Sequence, residues 1–536
     1  MAPKPFKNFL AKNQVYNISS SVEGNRTKRQ TSQREVYDAD FETAISATKF
    51  GKFNIFLFLL SIPAGWTSMF ETTTMSYVFP AAHCDLDLSL TDRGSLNAIT
   101  FVGMVSSGFV WGFLCDTLGR KKLMVVGYLL DACFVILSSF SQNFTLLLIF
   151  KFFGGFIING PFAALTAYLS EFHCSKYRSR VQLVRGMIVS GGSLTLPMLA
   201  WAILPQHIDL NIYNNKIVLH SWNIFLLVCA IPSLISGIIF MFLPESPKFL
   251  MTVGRNDEAL EVFRKVYSFN TGKSSNDFPI KRLIDETKTE NNGNEHGGHI
   301  TANRTKSQAL REGFQQIKPL CYPPHLKHII LVCLIQSLFM LSVNTLRLWL
   351  PQIFQSISDY KYYNNGTTSS LCNMLQVLTP KESNTTCHVN FSPTVYMNTM
   401  IIAAVSICGY FVAGTFINKL GKKLLLVASG LCVISIYFSQ NTATVVTLSS
   451  LFLSLGGICG NVLITIVIDL FPTSLRTVTI SLVMMLGRSA SMVGNLIFPI
   501  LLTLGCAPPF LSIGSVVIGC SLLTVLLPNT DLKALK

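Results

Sequence analysis

GFLCDTLGRKK at residues 112–122 and GTFINKLGKK at residues 414–423 are two copies of one short turn. In each, a glycine is followed by Asp116 or Asn418, a second glycine and a run of basic residues; 302 residues separate Gly112 from Gly414 and Gly119 from Gly421. Each copy lies between two apolar segments. A second pair repeats at a spacing of 298 residues, Glu171 with Arg178 against Asp469 with Arg476. Repetition of this kind in an apolar chain implies two related halves of a membrane protein.

Working outward, the chain of 536 residues is 50% hydrophobic and 13% charged, with a mean hydropathy of +0.46. Soluble domains carry about 25% charge, so an ordinary soluble enzyme is excluded. Twelve apolar stretches are long enough to cross a bilayer, near 53–75, 95–114, 123–140, 144–168, 182–204, 222–243, 328–350, 395–416, 424–440, 444–468, 478–502 and 508–527. The expected fold class is an all-α membrane protein, with twelve transmembrane helices in two pseudo-symmetric six-helix halves. The expected organisation is a cytosolic segment 1–52, a first half 53–243, a cytosolic central loop 244–327, a second half 328–528 and a tail 529–536. Within the central loop, 255–267 has the periodicity of a short amphipathic helix.

The net charge of +15 is distributed as topology rather than as a nucleic-acid surface. Basic residues crowd the N-terminal segment, the turns at 120–122, 176–180 and 419–423, and the central loop, which puts these on the cytosolic side together with both termini. No signal peptide is read in residues 1–50, where no early apolar core occurs. Of the glycosylation sequons, Asn365, Asn384 and Asn390 fall in the exofacial loop 351–393, whereas Asn17, Asn25 and Asn303 are expected to be silent. The same loop holds Cys372 and Cys387, a candidate disulfide on the oxidising side. No phosphate-binding loop, metal-ligand spacing or nucleophile with its base is found. Enzyme activity, nucleotides and cofactors are therefore not expected.

These motifs resemble those of the major facilitator superfamily. GFLCDTLGRKK is similar to its signature between helices 2 and 3, EFHCSKYRSR (171–180) to that between helices 4 and 5, and PESPKFL (244–250) to the segment after helix 6. DFETAISATKFGKF (40–53), VFPAAHCDL (78–86) and MVGN (492–495) resemble the branch of the synaptic vesicle glycoprotein 2 type, though the exofacial loop is short and lacks that branch's pentapeptide repeats. The resemblance implies a transporter of a small organic solute working by alternating access, with a proton as a possible coupling ion. A transporter-like protein acting in vesicle trafficking or as a receptor is the alternative.

By the same resemblance, Gly112, Asp116, Gly119, Arg120, Glu171, Arg178 and Arg180 form a cytosolic gate, with Asn418, Gly421, Asp469 and Arg476 as its weaker second copy. Charges within apolar segments cost about 3 kcal/mol each on insertion, so Glu71, Asp131, Lys151, Arg347 and Arg488 are candidates for the solute or proton site. Lys151 is expected to pair with Glu71. Arg488 needs an acidic partner or an anionic solute group, Arg347 is placed near the exofacial end of its helix, and Trp66 and Tyr77 are placed near Glu71 as cavity lining.

Overall fold

The structure, a computed structural model, describes residues 38–206, 208–212, 217–284, 322–323, 325–367, 369–375, 391–416, 431–471 and 473–526. The first half is built from α2 (Lys52–Leu86), α3 (Leu90–Leu118), α4 (Arg120–Ser139), α5 (Phe144–Glu171), α6 (Ser175–Ile203) and the pair α7 (Ser221–Cys229) and α8 (Ile231–Phe242). The second half contains α11 (His325–Tyr363), α13 (Pro393–Phe416), a helical stretch at 431–437, α14 (Thr442–Leu470), α15 (Thr473–Thr503) and α16 (Ala507–Val525). Among the described residues, nine helical segments are long and apolar enough to cross a membrane.

Local sequence sets the helix ends. Ser89 and Asp92 cap α3 reciprocally, satisfying amides that the first turn leaves open. Asn143 caps α5 through Leu146 N, and Asn441 caps α14 through Thr444 N, so the fourth helix of each half starts in the same way. Gly119 joins α3 to α4 at φ 91°, in the left-handed region, and a Cβ there would lie 2.5 Å from Glu245 Oε2.

Several elements depart from the expected boundaries. The span at 222–243 is two helices meeting at Ala230, where Pro232 in the first turn of α8 restarts the helix. The loop expected from residue 351 is helical as far as Tyr363, since α11 runs through Pro351, and the small helix α12 (Leu371–Leu375) follows. Cys372 is bonded to Cys506, before α16, and not to Cys387, which lies outside the described residues. A covalent tie thus joins that loop to the last helical hairpin. A two-stranded antiparallel hairpin, β1 (Leu210–Ile212) and β2 (Ile217–Leu219), precedes α7.

On the side of the Gly119 turn, the chain entering the first span is clasped by the segment after α8. Here α1 (Phe41–Ala47), α9 (Pro247–Thr252) and α10 (Asn256–Thr271) pack together, with Phe41, Ala44, Ile45, Phe263 and Val266 in one apolar cluster. The Asn270 side chain donates to the Thr48 and Lys49 carbonyls and accepts from Phe53 N. Ala39 bridges to Leu283.

The halves share apolar packing at the opposite end. Tyr396 and Phe391 of the second half join Phe70, Tyr77, Val78 and Leu196 of the first, and Leu90 packs into the cluster around Trp349 and Phe498. At the Gly119 end the corresponding second-half cluster, around Ile329, Phe339, Val467 and Phe471, contains second-half residues alone among those described.

Candidate functional site

Four residues one helical turn apart, Thr67, Phe70, Glu71 and Thr74, line a small cavity from α2. Asp131 and Val135 of α4, Lys151 of α5 and Leu226 and Cys229 of α7 complete it, leaving room for about one water molecule. Inside, Lys151 Nζ donates to Glu71 Oε1 at 2.8 Å, with both side chains 2% exposed. Gly154 makes the pair possible: a Cβ there would collide with the Glu71 carboxylate. A buried ion pair returns little net stability, because desolvating both ions offsets their attraction, but removing one partner strands the other. Asp131 is fully buried and hydrogen-bonded through Oδ2 to Ser233 Oγ at 2.7 Å.

Trp66 and Tyr77 do not line this cavity. Trp66 stacks on Phe70 and packs against Gly191 and Gly192 of α6. Tyr77 is buried toward the second half, in one apolar cluster with Tyr396 of α13.

Two arginines of the second half reach into the first. Arg488 of α15 donates through Nη1 to Asn159 Oδ1 of α5, and Asn159 Nδ2 donates to the Met104 carbonyl of α3 at 3.0 Å. The guanidinium therefore meets an amide braced by two first-half helices rather than an acid. Arg347 approaches Met69 Sδ of α2 at 3.5 Å. It lies well inside α11 and not near an end, because that helix continues to Tyr363.

At the Gly119 turn, Arg120 pairs with Glu171 at 3.3 Å and donates to the Cys115 carbonyl at 3.1 Å. Its guanidinium also lies over the Phe249 ring. Glu245, from the PESPKFL segment, accepts from Lys121 N at 3.0 Å. Arg178 does not join Glu171: it pairs with Glu42 of α1 and donates to the Ser170 carbonyl. Arg180 is exposed. Gly112 has open space around it. The side chains of Asp116, Asp469 and Arg476, and all of Asn418, Gly421, Asn384 and Asn390, lie outside the described residues. Asn365 is exposed in the turn after α11.

The family model described as Major Facilitator Superfamily matches residues 62–381, which include the buried pair, the Gly119 turn and the clasped segment after α8. The chain belongs to the major facilitator superfamily. Within that superfamily it is similar to synaptic vesicle glycoprotein 2B of Rattus norvegicus, 32% identical over 230 residues that cover 43% of this chain and 34% of the relative. It is also similar to synaptic vesicle glycoprotein 2A of the same species, 29% identical over 247 residues covering 46% and 33%. The match thus spans about a third of the length of these relatives. The fold matches the inward-open xylose transporter XylE of E. coli with a TM-score of 0.61 at 15% identity, covering 90% of this chain and 98% of that one. Superfamily membership makes this a multi-pass membrane protein of transporter type and not an enzyme.

Sequence reading missed Glu42, Glu245, Ser233 and Asn159. For Glu245 and Glu42 a signal was present, since each stands inside a motif already singled out. For the others the partner is set by packing between helices far apart in sequence.

Proposed function

We propose that the protein is a secondary transporter that moves a small organic solute by alternating access, with the Glu71–Lys151–Asp131 cluster as its ion-coupling element. The observation that carries this reading is the buried Lys151–Glu71 pair beside a second buried carboxyl. Charged groups at membrane depth are costly, and a stable fold has no need of three around one cavity. The two arginines contributed across the half interface supply hydrogen-bond donors where a solute held between the halves would lie, as midplane sites do in two-half transporters.

The Gly119 turn, both termini and the segment after α8 are assigned to the cytosolic side, and the loop bearing Asn365 to the other. Both exofacial clusters mix the two halves, whereas the cluster around Phe339 and Phe471 holds second-half residues alone among those described and only Leu348 and Met492 reach the first-half cluster that extends to the Gly119 side, which supports an inward-facing arrangement. In this arrangement Arg120, Glu171 and Glu245 hold the first-half face of the gate, ready to meet the second half when that side closes. Asp116 would act with them, and Asn418, lacking the charge, less strongly.

The test is uptake by proteoliposomes across a panel of sugars, organic cations and organic anions, with wild type and Glu71→Gln compared. Uptake of one class by wild type, reduced at least tenfold in Glu71→Gln, is expected. No uptake from any class, together with no solute-induced thermal stabilisation, would remove the transport reading. Glycosylation at Asn17 or Asn303 would overturn the sidedness.

A further inference from the structure

The two buried carboxyls of the first half differ in the hydrogen bonds around them. Glu71 faces an ammonium, which supplies protons in abundance. Asp131 faces Ser233, whose Oγ lies 2.7 Å from Asp131 Oδ2 and 2.8 Å from the Tyr128 carbonyl oxygen. A serine hydroxyl has one proton to donate, and a backbone carbonyl has none. Two full two-centre hydrogen bonds at these short distances, rather than one hydroxyl proton split between two acceptors, form when Ser233 donates to Tyr128 and Asp131 donates to Ser233. That chain requires a proton on Asp131 Oδ2.

Two independent features agree. Asp131 Oδ1 is buried without a hydrogen-bond partner, a large cost for half of an ionised carboxylate and a small one for the carbonyl oxygen of a neutral acid. The charge balance points the same way. The groups facing Asp131 are Glu71 from α2, Lys151 from α5, Cys229 from α7, Ser233 from α8 and Tyr128 from its own helix. Lys151 is the single cation among them, and its ammonium is directed at Glu71. With Asp131 protonated the cluster is neutral; with both acids ionised it carries one uncompensated negative charge away from water.

We propose that Asp131, rather than Glu71, is the proton-binding group of the cycle. It holds one proton in this conformation while Glu71 stays ionised against Lys151. When the cavity opens to water the Asp131 O–H bond breaks, the proton passes to that water, and Lys151 is left shared between two carboxylates. The inference rests on the transport reading for its role in a cycle, but the protonation itself stands on the hydrogen-bond geometry.

Infrared spectroscopy of the full chain in lipid nanodiscs at neutral pH tests it, since a buried protonated carboxyl has its own carbonyl stretch. The expected band is present in wild type, shifts when aspartate is labelled with carbon-13 and is lost in Asp131→Asn. Isotope labelling needs no variant and so survives any folding failure. Asp131→Asn should itself fold, because the amide can donate to Ser233 as the acid does, and its melting midpoint should match wild type where that of Asp131→Leu falls. A band that ignores aspartate labelling, or that survives Asp131→Asn, overturns the proposal. The band without uptake of any solute would sink the transport reading alone; uptake without the band would sink this inference alone.

Discussion

The fourth and fifth helices of the two halves begin at matching places and carry their cations at different ones. At a spacing of 298 residues, cap Asn143 corresponds to cap Asn441 and the start of α6 at Ser175 to the start of α15 at Thr473. In that register Lys151 corresponds to Ser449, and Arg488 to Ser190. The first half keeps its cation inside, against its own Glu71; the second sends its cation out, against Asn159 of the other half. The helix starts match while the cation stands in an intra-half pair in one half and in an inter-half contact in the other.

The contrast is broken most directly at its buried end. Lys151→Ala strands Glu71 without its ammonium and should lower stability by about 3–5 kcal/mol, while Ser449→Ala, deleting a buried hydroxyl that has no partner, should change it by less than about 1 kcal/mol. Thermal unfolding of both variants in one detergent checks this, and equal losses would erase the distinction. The second half carries a covalent tie between Cys372 and Cys506: Cys506→Ser should cost about 2–4 kcal/mol and free Cys372 to thiol labelling. Non-reduced peptide mapping that links Cys372 to Cys387 instead would refute the pairing.

Arg488→Gln removes a charge-assisted bond between halves worth about 1.5–3 kcal/mol. It should shift the conformational equilibrium roughly tenfold or more, read as altered labelling of cysteines placed along α6 and α15, with little loss of melting temperature. A large melting loss with unchanged labelling would make Arg488 a packing residue. The smallest effect is expected at Glu42→Gln, because the Glu42–Arg178 pair is 40% and 37% exposed. At most about 1 kcal/mol is at stake, and high salt should abolish the difference from wild type.

The helices were legible because a spanning segment writes its length directly into the sequence, and the twofold organisation because the Gly119 turn repeats. The break at Ala230 and the extension of α11 to Tyr363 were not, since Pro232 and Pro351 look alike locally and packing decides which one ends a helix. Charge at membrane depth singled out Glu71 and Lys151, and the family resemblance supplied their pairing. The cavity was misread through sequence proximity: Trp66 and Tyr77 stand five and six residues from Glu71, on other faces, whereas Thr67, Phe70 and Thr74 share its face at helical spacing. Cys506 was passed over because it belongs to a short turn far along the chain, although that turn lies on the same side as Cys372.

The clasp of Asn270 and the bridge from Ala39 to Leu283 set a condition on biosynthesis. Emergence of the sixth span from the ribosome does not finish the first half, whose opening segment waits for α10 and Leu283 to be made. Folding of this half is therefore completed on the side of the Gly119 turn, after its last helix has been made, by chain that lies outside its spans.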